Sequence, residues 1–242
     1  DLDLKKVEEA SVYGVRAGKS PEDVASQSDI VMLCVTSTDA VEDVIFGPEG
    51  VSKGANSRSL LIDFSTTIVS STKEMAKRLK EESNMGWIDA PVSGGTKGAE
   101  SASLAIMVGG EKKIYEKNLK VLKILGIPNY VGKPSSGQAA KLANQIIVGI
   151  TIGAVSEAII LSKKLGLKPT NVLKALKGGW ADSKILQTHG LRMIKEDFKA
   201  RGKVASQLKD MENILNTAKI WQYNIIHCQG ILWVFTNRYL LF

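Results

Sequence analysis

The feature that most constrains the fold of this chain is a long run of helically spaced apolar residues, from Gln138 to Leu165. Apolar side chains occupy most of its circumference, and a helix of that kind is usually buried on several sides. Gly166 and Pro169 follow it, and both residue types end helices. We therefore expect a long helix that acts as a spine between two domains or two subunits.

Short apolar runs alternate with helical patterns ahead of this helix. Such alternation is typical of a mostly parallel, doubly wound sheet. The expected fold class is an α/β Rossmann-type doubly wound sheet, followed by an all-α domain that the long helix joins to it. The expected strands are Asp29–Val35, Leu60–Phe64, a run that ends at Ala90, and Leu104–Val108; the expected helices begin at Ser20-Pro21 and span Val41–Phe46, about Ser70–Glu82 and Glu111–Leu125.

The pattern changes near Lys133-Pro134-Ser135-Ser136-Gly137, so we place a boundary there. The expected division is an α/β domain over 1–132, an all-helical domain over 133–219 and a tail over 220–242. The tail has no helical polar face. A divergent terminal segment would explain it, but we favour a sequence unrelated to the domain before it. Helices expected after the long one are Asn171–Lys177, Lys184–Lys195 and Val204–Lys219.

Composition excludes several classes of function. The net charge is +7, with basic and acidic residues interspersed, which is typical of solvated helix faces rather than of a nucleic-acid surface. Cys34 and Cys228 are far apart, so neither a disulfide scaffold nor a zinc site is expected. No apolar run is expected to reach the roughly 20 residues of a membrane span. We expect no nucleic-acid partner, no membrane partner and no metal.

A glycine-rich turn follows a short apolar run in WIDAPVSGGTKGAESASLAIMVGG, Trp87 to Gly110. Glycines directly after a strand allow close approach of a ligand, and their N–H groups can cradle an anion such as a carboxylate. A tight turn between two strands would explain the same glycines. The residues alone leave both interpretations open.

A lone cation occurs among small and apolar residues in GQAAKLANQ, Gly137 to Gln145. Burial of Lys141 would lower its pKa and suit it to transfer a proton. Asn144 and Gln145 lie three and four residues later, so they share its helix face. A lysine whose ammonium group reaches solvent is the common alternative for such a position.

Together, DAPVSGG and GxxxKLANQ resemble signatures of the β-hydroxyacid dehydrogenases, which include 3-hydroxyisobutyrate dehydrogenase and 2-hydroxy-3-oxopropionate reductase. The resemblance covers about residues 1–219. It implies that Lys141 is the catalytic acid/base and that the substrate carboxylate binds at Ser93, Gly94 and Gly95. Asn144 and Gln145 would complete the substrate site, although the family commonly has Asn where this chain has Gln145.

The same resemblance implies a dinucleotide cofactor, NAD or NADP, bound by the 1–132 domain. Its expected contacts are Val35, Thr36, Thr66 in DFSTT, and Lys209 in QLKDM. Asp1 would bind the ribose 2′-hydroxyl and thereby favour NAD over NADP. An N-terminal helix cap would be an equally good reason for the threonine in DFSTT.

The sequence contains no GxGxxG turn, the feature that holds a pyrophosphate in Rossmann folds. We therefore expect that about thirty residues of such a domain are missing ahead of Asp1, and we expect the chain as given to bind dinucleotide poorly.

The expected function is an NAD(P)-dependent oxidoreductase that interconverts a short 3-hydroxy acid and its semialdehyde, with the 2-hydroxy-3-oxopropionate reductase reaction as the leading one. GGWADSKILQTHG, from Gly178 to Gly190, favours that reaction over 3-hydroxyisobutyrate oxidation. A non-catalytic homologue that serves as an oligomerisation module is the alternative from another class. We expect a small carboxylate substrate, a homo-oligomer formed through the helical domain, and a cytoplasmic or organellar-matrix location.

Overall fold

The protein is described from a computed structural model, which covers residues 1–199 and 204–237. The chain divides between Ala139 and Ala140 into two compact units. The first is a sheet with helices, and the second is helical. The elements of the first unit are α1 (Leu4–Ser11), α2 (Pro21–Ser26), β1 (Ile30–Leu33), α3 (Thr38–Phe46), α4 (Val51–Gly54), β2 (Leu60–Asp63), α5 (Val69–Ser83), β3 (Gly86–Asp89), β4 (Val92–Ser93), α6 (Gly95–Glu100), β5 (Leu104–Gly110), α7 (Lys112–Leu125) and β6 (Gly126–Gly132).

The sheet of the first unit is mixed. Strands β1, β2 and β3 are parallel neighbours, and β5 and β6 are also parallel. Strand β5 runs antiparallel to β3 and to the short strand β4. The reversal arises because the chain returns from β3 through β4 and the six-residue helix α6, rather than through a long crossover helix. The Rossmann-type fold is confirmed, with this antiparallel return as a finding.

Both faces of the sheet are buried, as a doubly wound fold requires. Leu61 and Trp87 belong to one buried cluster, whereas Leu60, Ile62 and Ile88 belong to the other. Neighbouring strand residues point to opposite faces, so strands covered on both sides consist of continuous apolar runs. This is why the apolar runs predicted β1, β2, β3 and β5 correctly.

Local sequence signals set where the helices begin. The Ser20 hydroxyl accepts a hydrogen bond from the Asp23 amide at 3.1 Å, and Pro21 occupies the first turn of α2, as expected. The Ser37 hydroxyl likewise caps α3 through the Ala40 amide at 3.1 Å. Helix α3 therefore starts at Thr38, three residues before the apolar pattern suggests.

The long helix α8 spans Ser136–Lys164 and crosses the division between the units. The helices after it are α9 (Pro169–Leu176), α10 (Leu191–Ile194), α11 (Val204–Ile220) and α12 (Ile226–Asn237), with a π-helical turn over Leu186–Gly190 immediately before α10. Pro169 occupies the first turn of α9, and Gly166 adopts a positive φ of 76° after α8. Helix α12 lies in the segment for which the sequence predicts no helix.

One expectation about α8 needs correction. Among the described residues, this one helix is long and apolar enough to cross a membrane by length and composition, whereas the sequence analysis expects no such run. Core helices of soluble proteins meet the same criterion. The run was missed because Lys141 and Gln145 interrupt it near its start, while the more apolar stretch lies beyond them.

Candidate active site

In the first unit, the candidate cofactor residues follow adjacent parallel strands. Leu33, Asp63 and Asp89 stand side by side across β1, β2 and β3, so the loops that follow these strands emerge at one edge of the sheet. The Val35 amide donates to the Ser65 hydroxyl at 2.9 Å, which ties the first two loops together. Thr36 and Thr66 lie in these tied loops. Ligands of doubly wound folds bind at this carboxyl edge.

Asp63 is a buried carboxyl group that sequence reasoning missed. One of its oxygens accepts the Ser65 amide at 2.9 Å, whereas its Oδ2 is buried without a hydrogen-bond partner in the described structure. Burial raises the pKa of Asp63 above its usual range, and the hydrogen bonds from Ser65 oppose that shift. The available signal was its position, since it is the acidic residue at the end of an otherwise apolar strand.

Asp89 and Gln138 bind the first turn of α8 to the strand ends. Asp89 Oδ1 accepts the Ser135 amide at 2.8 Å and Oδ2 accepts the Gln138 amide at 3.0 Å. The Gln138 side chain donates to the Ser65 carbonyl at 2.8 Å and accepts from the Thr67 amide at 3.1 Å. Both side chains are fully buried. Sequence reasoning placed both residues inside motifs but assigned neither a role.

The glycine turn expected to bind a carboxylate connects β4 to α6. Gly94 and Gly95 both adopt positive φ, 139° and 64°, so the turn uses the conformational freedom of glycine. A Cβ at Gly94 would lie 3.1 Å from the Leu104 side chain, whereas a Cβ at Gly95 would meet nothing within 4 Å. Ser93 is half-buried and both glycines are exposed. The turn thus presents backbone groups to its surroundings.

In the second unit, Lys141 lies on α8 with 7% of its surface exposed. Burial lowers the pKa of Lys141 from its ordinary value; the negative charge of Asp210 opposes the shift, and the positive charge of Lys209 adds to it. The expected burial is confirmed, and it argues against the alternative of a lysine that extends into bulk solvent. A lysine with a lowered pKa gives up its proton more readily, as acid catalysis requires.

A short hydrogen bond between Gln145 and Asp210 connects α8 to α11. Gln145 Nε2 donates to Asp210 Oδ2 at 2.6 Å, and it also lies 3.3 Å from Gln207 Oε1. Asn144 Nδ2 donates to Gln145 Oε1 at 2.7 Å. Lys209 Nζ lies 3.4 Å from Asp210 Oδ1. The structure therefore brings together the second-unit residues that the sequence singles out, and it adds Asp210 and Gln207 to them.

Asp1 lies outside both clusters. It is exposed, and its carboxylate accepts the Asp3 amide at 2.9 Å; the Asp3 side chain in turn caps α1 by accepting the Lys5 amide. Its expected contact with a ribose stays a prediction.

The described residues contain no group of three or more His, Cys, Asp or Glu side chains that could hold a metal ion. A dinucleotide fits the chemistry of the strand-end loops, because hydroxyl side chains and backbone amides follow β1 and β2 at one edge of the sheet. Val35, Thr36 and Thr66, which the sequence analysis expects to contact the cofactor, lie in these loops. No residue is assigned to the pyrophosphate, since the sequence has no GxGxxG turn.

Two family models match the chain. Residues 1–158 match the NAD binding domain of 6-phosphogluconate dehydrogenase. Residues 135–233 match the model described as the NAD-binding domain of NADP-dependent 3-hydroxyisobutyrate dehydrogenase. The second match extends well into the segment 220–242, which the sequence analysis treats as unrelated.

Individual relatives agree with these models. The 2-hydroxy-3-oxopropionate reductase of Escherichia coli is 38% identical over 213 residues, which is 88% of this chain and 73% of the relative. A probable mitochondrial 3-hydroxyisobutyrate dehydrogenase-like protein of Arabidopsis thaliana is 34% identical, over 86% of this chain and 70% of the relative. The solved 3-hydroxyisobutyrate dehydrogenase of Mycobacterium tuberculosis is 26% identical with a TM-score of 0.87, covering 98% of this chain and 82% of that one.

Proposed function

Since this chain belongs to the β-hydroxyacid dehydrogenase family of NAD(P)-dependent oxidoreductases, we propose that it reduces 2-hydroxy-3-oxopropionate to glycerate. The E. coli reductase of that name supports this substrate, as does the segment from Gly178 to Gly190. Oxidation of 3-hydroxyisobutyrate is the second candidate, and the names of the Arabidopsis and Mycobacterium relatives favour it. Both reactions interconvert a short hydroxy acid and its semialdehyde.

The observation that carries the proposal is the buried Lys141 with its lowered pKa. In the proposed reduction, Lys141 Nζ donates a proton to the aldehyde oxygen, which becomes the hydroxyl group of the product. In the reverse direction, the neutral amine accepts that proton. A bound nicotinamide supplies or accepts the hydride. Asp210 keeps a compensating negative charge near Lys141, which stabilises the ammonium form before the proton is transferred.

The remaining roles divide between orientation and cofactor binding. Ser93, Gly94 and Gly95 are proposed to bind the substrate carboxylate through the serine hydroxyl and backbone N–H groups. The positive φ angles of both glycines support this role, because such turns direct N–H groups toward one side. Asn144 and Gln145 are proposed to form the α8 side of the substrate site, either by contact with the substrate or by orienting the amide that contacts it. Val35, Thr36, Thr66, Lys209 and Asp1 are proposed cofactor contacts.

The choice between NAD and NADP rests on Asp1. A carboxylate beside the ribose would accept a hydrogen bond from the 2′-hydroxyl and repel a 2′-phosphate, so we propose a preference for NAD. A reducing compartment, either cytoplasm or organelle matrix, is proposed for the location. The two cysteines, Cys34 and Cys228, are unpaired thiols, and the Arabidopsis relative is described as mitochondrial.

The first prediction tests Lys141. Steady-state rates are measured from nicotinamide absorbance with each semialdehyde and with NADH and NADPH in turn, at cofactor concentrations high enough to compensate for the weak dinucleotide binding expected of this chain. Lys141→Ala is expected to lower kcat by about 10²–10⁴-fold, because it removes a positioned proton donor, while KM changes far less. Lys164→Ala, an exposed lysine at the other end of the same helix, is the matched control and should retain normal kcat.

Two outcomes would contradict parts of this proposal. Near-normal turnover by the Lys141→Ala variant would remove Lys141 as the proton donor. Reduction of the semialdehyde of 3-hydroxyisobutyrate at a higher kcat/KM than 2-hydroxy-3-oxopropionate would replace the first substrate by the second. The ratio of kcat/KM with NADH to that with NADPH decides the cofactor preference independently of both.

A further inference from the structure

The carboxamide of Gln145 is fully used inside the protein. Its Nε2 donates to Asp210 Oδ2 at 2.6 Å and lies 3.3 Å from Gln207 Oε1. Its Oε1 accepts from Asn144 Nδ2 at 2.7 Å. Only 8% of Gln145 is exposed. An amide nitrogen has two hydrogens, and both have acceptors here. Gln145 therefore has no donor left with which to hold a substrate oxygen.

The chemistry of Asp210 fixes which way this amide faces. An ionised carboxylate only accepts hydrogen bonds, so the atom of Gln145 that contacts Asp210 Oδ2 must be the nitrogen. The Gln145 oxygen then has to face Asn144, and it can only accept. Asn144 must consequently present its nitrogen to Gln145. A single acidic group on α11 thus sets the orientation of two successive amides on α8.

Asn144, unlike Gln145, still has an amide N–H donor and a carboxamide oxygen available for a ligand. It is half-buried, donates one of its two amide hydrogens to Gln145, and within the described residues its carboxamide oxygen accepts no hydrogen bond. It lies three residues after Lys141, so the two side chains share one face of α8. One remaining N–H donor beside one carbonyl acceptor is the set that a hydroxyl group, which both donates and accepts, requires.

We propose that Gln145 is a positioning residue rather than a substrate contact: with Asp210 it forms a positioning pair that orients Asn144, the neighbouring amide of the proposed substrate site. This inference rests on the proposed function, since it concerns the substrate of that reaction. It gives different roles to Asn144 and Gln145, both of which the family resemblance places in the substrate site. The longer side chain of Gln145, compared with the family's asparagine, is what reaches Asp210.

The second prediction is a kinetic test that compares truncations at the two amides. Asn144→Ala is expected to raise KM for the hydroxy acid about tenfold, by loss of one hydrogen bond, and to lower the urea midpoint less than Gln145→Ala does, because it leaves a neutral amide oxygen rather than a carboxylate without its donor. Gln145→Ala is expected to lower the urea midpoint, because it leaves the buried Asp210 carboxylate without its amide donor. Asn216→Ala, an exposed asparagine on α11, is the control for both measurements.

The conservative variant separates positioning from direct binding. Gln145→Asn shortens the side chain by one methylene, so it cannot reach Asp210 and Asn144 at once. It is therefore expected to behave like Gln145→Ala in the urea midpoint and to raise KM through a misoriented Asn144. If Asn144→Ala leaves KM for the hydroxy acid unchanged, or if Gln145→Asn keeps the wild-type KM and midpoint, the proposal is overturned.

A measurement without turnover distinguishes this inference from the proposed function. The side-chain amide protons of ¹⁵N-labelled protein are followed by NMR, first alone and then with glycerate or 3-hydroxyisobutyrate. The Gln145 amide is expected to exchange slowly with solvent compared with Asn216, and the Asn144 amide is expected to shift on addition of ligand. Fast exchange at Gln145 would refute the positioning pair whatever the substrate. Slow exchange with no turnover of either acid would refute only the proposed function.

Discussion

Asp89 shows how burial and hydrogen bonding act in opposite directions on one carboxyl group. Burial raises its pKa from 3.8 to about 6, against the lowering effect of the amides of Gln138 and Ser135 that donate to it. A carboxyl group with a raised pKa binds its proton more tightly in the folded state than in the unfolded state. It therefore contributes stability at low pH, which is lost as pH rises from about 4 to about 6.

This behaviour gives the third prediction, for Asp89→Asn. The variant should be less stable than wild type, because one hydrogen of the introduced carboxamide would oppose a backbone N–H donor. The difference in free energy of unfolding should be largest near pH 4 and should narrow by on the order of 3 kcal/mol by about pH 7. Urea titrations of both proteins at several pH values measure this difference. The contributions of the other titrating groups are the same in both proteins, so they cancel. If the difference in free energy of unfolding between wild type and variant instead grows as pH rises, the backbone hydrogen bonds lower the pKa of Asp89 by more than burial raises it.

Among the elements, the first turn of α8 depends on one side chain. Gln138 is fully buried, and its amide pairs with the Ser65 carbonyl and the Thr67 amide of the loop after β2. Glutamine supplies a donor and an acceptor on one rigid group, and no apolar residue of similar size can replace both. The loop and the helix are thus held by the same amide.

The fourth prediction follows for Gln138→Leu. Leucine fills a similar volume but leaves the Thr67 amide and the Ser65 carbonyl buried without partners, so the free energy of unfolding should fall by about 2–4 kcal/mol. Gln27→Leu, at an exposed glutamine that directly follows α2, is the matched control and should change it by less than about 0.5 kcal/mol. Urea denaturation followed by circular dichroism measures both. Equal effects of the two substitutions would show that the Gln138 hydrogen bonds add no stability.

The elements that the sequence predicted well are those with a strong periodic signal. The apolar runs Leu60–Phe64 and Leu104–Val108 correspond to β2 and β5, and the long run corresponds to α8. Strand β6 was missed because it contains Pro128 and Asn129, residue types that are uncommon in strands. Proline is tolerated there because β6 lies at the sheet edge. Helix α12 was missed because its residues are apolar on all faces, which hides a helical period.

Within the candidate site, the sequence pointed to the residues that belong to recognisable motifs. It did not point to the residues whose hydrogen bonds position them. Lys141 and the glycine turn were visible because unusual residue types stand in apolar or extended surroundings. Asp210, Asp89 and Gln138 act through contacts with residues 46 to 73 positions away in the sequence. No local pattern reports such pairings. The structure was needed to show which buried polar groups are paired.

At the scale of the whole molecule, α8 presents an apolar stripe that the described part of the chain does not cover. Ile147 and Leu161 are 65% and 59% exposed, and Ala154 and Ala158 are exposed between them. Ile147, Ala154 and Leu161 are seven residues apart, the spacing by which helices pack along a shared seam. Small residues in the middle of the stripe allow close approach of a second helix. This supports the expected homo-oligomer formed through the helical unit.

The fifth prediction tests that assembly with the double substitution Ile147→Glu and Leu161→Glu. Burying each aliphatic side chain is worth about 1.5–3 kcal/mol, so a charge at both positions should weaken association by well over tenfold. Light scattering after size exclusion, over a range of concentrations, should show an oligomer for wild type and a monomer for the variant. Lys163→Glu changes the net charge by the same amount on another face of α8 and should leave the oligomer intact. A wild-type monomer at every concentration, or wild-type protein that sediments with lipid vesicles while the variant does not, would assign the stripe to another partner.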